Sequence, residues 1–254
     1  MTSPPAIITP AFLSSIRSHP SLPGHTWYLI AAATLSQLNR PDEIGQVYLH
    51  ALQHGAGSAD SAPSADEKLR ISRRMREALI KAAAVGGVPR TINALLELKK
   101  VTPEDLLDEP EAFSPTGRRA EIYETPTLEI MERGQGFFEA VYGKITRRVM
   151  GQMDRSGTED LGLVARLMYG YVLSNTSVLS AAETSFVMIA GLIPQDVNPQ
   201  LKGHLRGALN GGATVEQVKA VRNVVVEICM AAGMKMLEAG THAGFGWRSE
   251  VADL

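Results

Sequence analysis

Apolar residues recur along this chain at three- and four-residue steps, the spacing of helices, with few of the alternating β-branched runs that mark strands. The clearest region is Ala182 to Gly240. There Phe186, Ile189, Ala190 and Ile193 predict one buried stripe on a helix that opens near Glu183 and ends or kinks at Pro194. Asn198 followed by Pro199 reads as an N-cap and first helical residue, His204 falls midway along that second helix, and Gly211-Gly212 closes it. Thr214 and Gln217 form a capping-box pattern for a third helix, whose stripe is Val218, Val221, Val225, Ile228, Cys229 and Ala232.

A weaker copy of this unit lies earlier. WYLIAAATLSQLNRPDEIGQVYLHALQHG, from Trp27 to Gly55, resembles FVMIAGLIPQDVNPQLKGHLRGALNGG, from Phe186 to Gly212, and REALIKAAAVGGV from Arg76 aligns with RNVVVEICMAAGM from Arg222. Two successive matching segments indicate an internal duplication, and two copies are too few for a solenoid. Gly24 falls near the place of Glu183, and Gly45 to Val47 near that of His204, so a single site per chain would belong to the second copy.

The expected organisation is a first repeat with an N-terminal arm over 1–107, a linker over 108–127 whose prolines and charges oppose regular structure, and a second repeat over 128–254. Within the first repeat, Ser64 and Glu67 predict a helix starting near Ala65, interrupted at Gly86, Gly87 and Pro89. A short helix over 91–100 and another starting at Thr102-Pro103 follow. Two longer helices, Leu128 to Gln152 and Glu159 to Leu179, open the second repeat, with Gly134 and Gly136 permitting either close backbone approach or a break.

Glu183, the run PQLKGHLRGALNGGAT with His204, the following VEQVKAV and the upstream YGYVLSNTSVLSAAET resemble the carboxymuconolactone decarboxylase family, which shares its all-α fold with alkyl hydroperoxidase D. The whole chain resembles two-repeat fungal members. In the peroxidase branch a Cys-x-x-Cys pair precedes the histidine; here those positions are Val197 and Gln200, which opposes thiol chemistry. The resemblance implies a homo-oligomer and a cofactor-independent lyase or isomerase acting on a small organic acid or lactone, with Glu183 and His204 as the acid-base pair. A non-catalytic binding or scaffold protein keeping the same frame is the alternative, and a thiol peroxidase a disfavoured third. Arg206 and Arg222, with Arg76 and Arg90 from the other copy, are the candidates for holding a substrate carboxylate, although the resemblance does not reach them. Each residue also has a plainer reading: Glu183 as a cap at a helix start, His204 as a structural side chain, and the run SRRMREALIK as a solvated basic face.

Composition narrows these readings. A net charge of −2 over 254 residues offers no electrostatic reason for a nucleic-acid partner, and no apolar run is long enough to span a bilayer. The single cysteine, Cys229, lies on an apolar stripe and permits neither an internal disulfide nor an all-cysteine metal site. His50 and His54 have the spacing of a metal pair without a third ligand nearby and read as a solvated helix end; His242 has no assigned job, and no metal or cofactor is expected. Met230, Met234 and Met236 read as core or subunit-contact residues. Residues 1–24 hold five prolines, Arg17 and no acid, a pattern that suits an arm on a neighbouring subunit as well as a targeting signal. Ala252-Asp253-Leu254 differs from the usual peroxisomal tripeptide, and the cytoplasm is the expected compartment, with mitochondrion and peroxisome left open.

Overall fold

A computed structural model describes residues 6–57, 62–108, 114–240 and 243–254; His242, the middle of the loop after Gly55 and five residues of the expected linker lie outside them. The chain is all-α. Its helices are α1 (Pro10–Arg17), α2 (Trp27–Gln37), α3 (Ile44–His54), α4 (Ala65–Gly86), α5 (Val88–Val101), α6 (Arg118–Glu124), α7 (Thr127–Tyr142), α8 (Thr146–Met153), α9 (Asp160–Leu167), α10 (Ala181–Leu192), α11 (Asn198–Asn210) and α12 (Val215–Ala231). A π-helical turn, Met168–Leu173, continues α9, and a two-residue parallel pairing joins Lys235–Met236 to Gly246–Trp247. Among the described residues no helix is long and apolar enough to cross a membrane.

The order of elements repeats. In each copy a buried helix leads through a 3₁₀ turn into a second helix and then a longer third: α2, Pro41–Glu43, α3 and α4 in the first, α10, Ile193–Gln195, α11 and α12 in the second. The connections match in a rarer feature as well. Asn39 (φ 55°) and Asp196 (φ 57°) are the positive-φ residues other than glycine among the described residues, and each sits in the turn between the first two helices of its copy. α2 and α10 lie side by side at the centre and are buried nearly all round, and each long helix packs against both of them. One continuous apolar core therefore spans both repeats.

Local signals place the helix starts. Ser180 with Glu183, and Thr214 with Gln217, form complete capping boxes, and Ser64 accepts the Glu67 amide at the start of α4. Five expectations change. The helix expected over 159–179 stops with the π-turn at Leu173, and Ser180 caps a separate helix. Val197, not Asn198, caps α11; the Asn198 side chain instead accepts the Ala252 amide at 2.8 Å and donates to Glu250 O at 3.1 Å, tying down the C-terminal segment. The helix expected over 128–152 breaks at Gly143, whose φ of 54° suits glycine, while Gly134 lets α7 approach the π-turn so closely that a Cβ there would lie 2.6 Å from Gly170 Cα. Arg118–Glu124 is helical within the expected linker, since long-range ion pairs hold it. The helix expected after Thr102-Pro103 is a single 3₁₀ turn, Glu104–Leu106. In the N-terminal arm, Ile8, Leu13 and Ile16 of the chain's own α1 region are buried in the shared core.

Candidate functional site

α4 carries the polar centre of the molecule. Ile71, Arg74, Ala78, Lys81 and Ala82 fall at three- and four-residue steps, so two cations share the stripe that faces the core. Lys81 is fully buried, 0% exposed, and its ammonium donates to Leu173 O and Asn175 O at 2.8 Å and to Thr184 Oγ1 at 2.9 Å. Glu77, one turn before it, lies 3.8 Å from Lys81 Nζ and accepts a fork from Arg118 at 2.5 and 2.8 Å. Burial pushes the Lys81 pKa down to about 7, against the opposing pull of Glu77.

This cluster has an identifiable structural task. The end of the π-turn presents carbonyls that no α-helical amide reaches, and cations meet them in succession. Arg133 donates to Gly170 O at 3.1 Å, Arg118 to Tyr171 O at 2.9 Å and Val172 O at 3.0 Å, and Lys81 to Leu173 O. Each cation has a carboxylate beside it: Glu121 for Arg133, Glu77 for the other two.

Glu183 sits at the edge of the cluster. Its Oε1 accepts from Arg74 Nη2 at 2.5 Å, and its Oε2 accepts from the Ser180 amide at 2.9 Å and Arg74 Nη1 at 3.4 Å. Arg74 also donates to Tyr28 Oη (3.1 Å), His25 O (3.1 Å) and Val178 O (3.3 Å), so all five of its N–H groups are used. Partial burial raises the Glu183 pKa, but the Arg74 hydrogen bond and charge and the Ser180 amide outweigh it, and the net shift is downward. The Glu183 carboxyl is thus ionised at neutral pH and doubly held. Arg74 opens on its other side to a cleft of about 420 Å³ lined by Asp66, Arg70, Arg73, Pro115 and Val178.

His204 does not join Glu183, which corrects the expected pair. Gly211 packs on Ala182 and Gly207 on Ser185 across the α10–α11 hairpin, so Glu183 lies level with Leu209–Asn210 and His204 about 8 Å further along at 1.5 Å per residue. His204 is 4% exposed. Its Nε2 lies 3.5 Å from Tyr169 Oη, the Tyr142 ring meets it edge-on, and its Nδ1 has no partner among the described residues. Burial lowers its pKa to about 4, so the imidazole is neutral.

The four candidate arginines are dispersed as well. Arg206 is exposed on α11. Arg222 donates to Val251 O (2.6 Å) and Ala252 O (2.8 Å), Arg90 to Gln37 O (2.7 Å), and Arg76 to Asp108 (2.5 Å) and Leu106 O (3.0 Å). The arginine that meets Glu183 is Arg74, in the run read as a solvated face; its register with the α4 stripe was the signal that marked it. His50 corrects another expectation: it is buried, edge-on to Trp27, with its ring centroid 4.4 Å from that of His54. Among the described residues no three His, Cys, Asp or Glu side chains are placed to hold a metal. Cys229 is buried in the core, and burial pushes its thiol far above the usual range.

Fold and site together define an all-α protein of two similar helical units joined by buried ion pairs. No protein-family model matches the chain. Two curated relatives match most of it, both named peroxisomal protein 2. That of Schizosaccharomyces pombe is 39% identical over 212 residues, 82% of this chain and 87% of its own, and that of Saccharomyces cerevisiae 32% over 279 residues, 93% and 94%. The chain belongs to this family of fungal proteins.

Proposed function

We propose that the chain is a peroxisomal protein of the alkyl hydroperoxidase D type of fold that binds a small organic acid or lactone and serves as a binding or scaffold protein. The observation that carries this reading is the engagement of both residues on which acid-base catalysis would rest: His204 is sealed, and Glu183 is held by Arg74 and Ser180. The arginine-lined cleft suits a carboxylate, with Arg70 the most accessible anchor, because its side chain is exposed and its ion pair among the described residues is a loose 3.9 Å contact with Glu67. The relatives' names support the compartment, which a fluorescent fusion imaged beside a peroxisomal marker tests directly.

The lyase or isomerase reading keeps one observation in its favour. Burial alone would raise the Glu183 pKa, and Arg74 holds it down. A substrate carboxylate that drew Arg74 away would remove the main force holding the Glu183 pKa down and so favour its taking up a proton, without a cofactor. Calorimetric titration with a panel of small carboxylates and lactones, followed by product analysis, separates the two. Saturable binding weakened about tenfold by Arg70→Ala, with no product formed, is expected. Turnover that Glu183→Gln abolishes while binding persists would establish the lyase instead, and an absence of binding to the whole panel would sink both.

A further inference from the structure

α4 and α5 turn back on each other at Gly87, and a cleft of about 460 Å³ lies between them. On α5, Leu95, Leu98, Lys99 and Thr102 fall at i, i+3, i+4 and i+7 and so line one wall; on α4, Arg76 and Ile80, one turn apart, line the other. The segment after α5 closes the end. Arg76 ties it down by donating to Leu106 O at 3.0 Å and to Asp108 at 2.5 Å, which holds Leu107 at the rim. The lining divides by chemistry. Leu98 is 2% exposed and forms the floor, whereas Ile80, Leu95 and Leu107 are half-buried, so an apolar ligand would still take their surface out of water. Asp108 is already committed, with Oδ1 accepting from Arg73 and Oδ2 from Arg76. The Lys99 side chain is exposed and has no hydrogen-bond or ion-pair partner among the described residues. It rises from the same face of α5 as the two leucines, so its stem can follow the apolar wall while its ammonium stays at the mouth. Glu104, the remaining charge, is exposed on the connecting 3₁₀ turn, outside that face.

We propose that this cleft binds an amphipathic carboxylate, a hydrocarbon tail with one anionic head. The tail lies on Ile80, Leu95, Leu98 and Leu107, and the head pairs with Lys99. Four aliphatic side chains around a concave space, with one uncommitted cation at its edge, are the pattern of a site that takes its affinity from burial and its orientation from a single charge. The volume bounds the tail: at roughly 30 Å³ per non-hydrogen atom the cleft holds on the order of fifteen, the size of a medium-chain acid. Its lining shares no residue with the arginine-lined cleft beside Glu183, so neither reading depends on the other.

Calorimetric titration of the full chain with straight-chain acids from hexanoate to dodecanoate tests this. One saturable site is expected, with affinity rising about two- to fourfold per added methylene until the tail fills the cleft. Octanoate should bind more tightly than 1-octanol, although the alcohol is the more apolar of the two. Lys99→Glu, a change on an exposed side chain that leaves folding intact, should weaken octanoate about tenfold and reverse that order. Leu107→Trp, which fills the cleft, should remove binding while the helical circular dichroism stays unchanged; should it misfold, Lys99→Glu decides. Arg70→Ala, in the other cleft, should leave octanoate binding unaltered, which separates failure here from failure of the reading above. The proposal is overturned if dodecanoate shows no saturable binding up to about 1 mM, if Lys99→Glu leaves octanoate binding as it was, or if Arg70→Ala weakens it as much as Lys99→Glu does.

Discussion

The two long helices, α4 and α12, occupy matching places in their repeats yet meet the centre of the molecule in different ways. The alignment of Arg76 with Arg222 puts Ala220 where Arg74 stands, Asn223 where Glu77 stands and Glu227 where Lys81 stands. Arg74, Glu77 and Lys81 are all buried, whereas Asn223 and Glu227 are exposed and the buried side of α12 is wholly apolar. The cover explains the contrast. Arg118 of α6 and the carbonyls of the π-turn close over the polar face of α4, whereas the C-terminal segment meets α12 at Arg222 and leaves Asn223 and Glu227 exposed. Polarity buried at a helix junction therefore follows from what lies above the junction as much as from the helix itself.

Breaking the polar junction should cost most. Lys81→Ala leaves three acceptors and the Glu77 carboxylate without their ammonium, and a loss of about 3–5 kcal/mol is expected in urea denaturation. The hairpins differ in a parallel way, with His204 in α11 where the first copy has Gly45 to Val47, and pH sharpens that difference. The folded His204 pKa of about 4 lies below the ordinary value near 6.5, so the unfolded chain binds the extra proton between those limits. Stability should fall by about 3 kcal/mol as the pH drops from 6.5 to 4. Thermal denaturation across that range checks it, and His204→Phe should remove this part of the slope. Arg74→Ala, which strands the Glu183 carboxylate at the edge of the cluster, should cost about 1.5–3 kcal/mol. At the other junction, Glu227→Ala and Asn223→Ala should each stay within about 0.5 kcal/mol. A large loss from either would show that α12 has a polar cover after all.

Features decided by a few neighbouring residues were legible before any coordinates. The capping pairs at Ser64 and Thr214 and the turn glycines at Gly86 and Gly211 fall where their chemistry demands. The all-α class followed from periodicity summed over the whole chain. What could not be read was pairing at a distance. Glu183 and Arg74 are 109 residues apart, and nothing near either names the other. Glu183 and His204 are only 21 apart, yet the register of the hairpin, set by Gly207 and Gly211, offsets them by more than a turn. Arg118 escaped notice because a short charged segment between prolines looks irregular until Glu77 supplies its partner.

The sharing of α2 and α10 between the two long helices bears on how such a molecule can be taken apart. Each long helix rests on the first helix of both repeats, so neither repeat owns a complete interior. Two separately encoded halves would each be born with half an interface and would fold only by finding one another, as an obligate heterodimer whose specificity is already written in Lys81, Arg74 and Glu183.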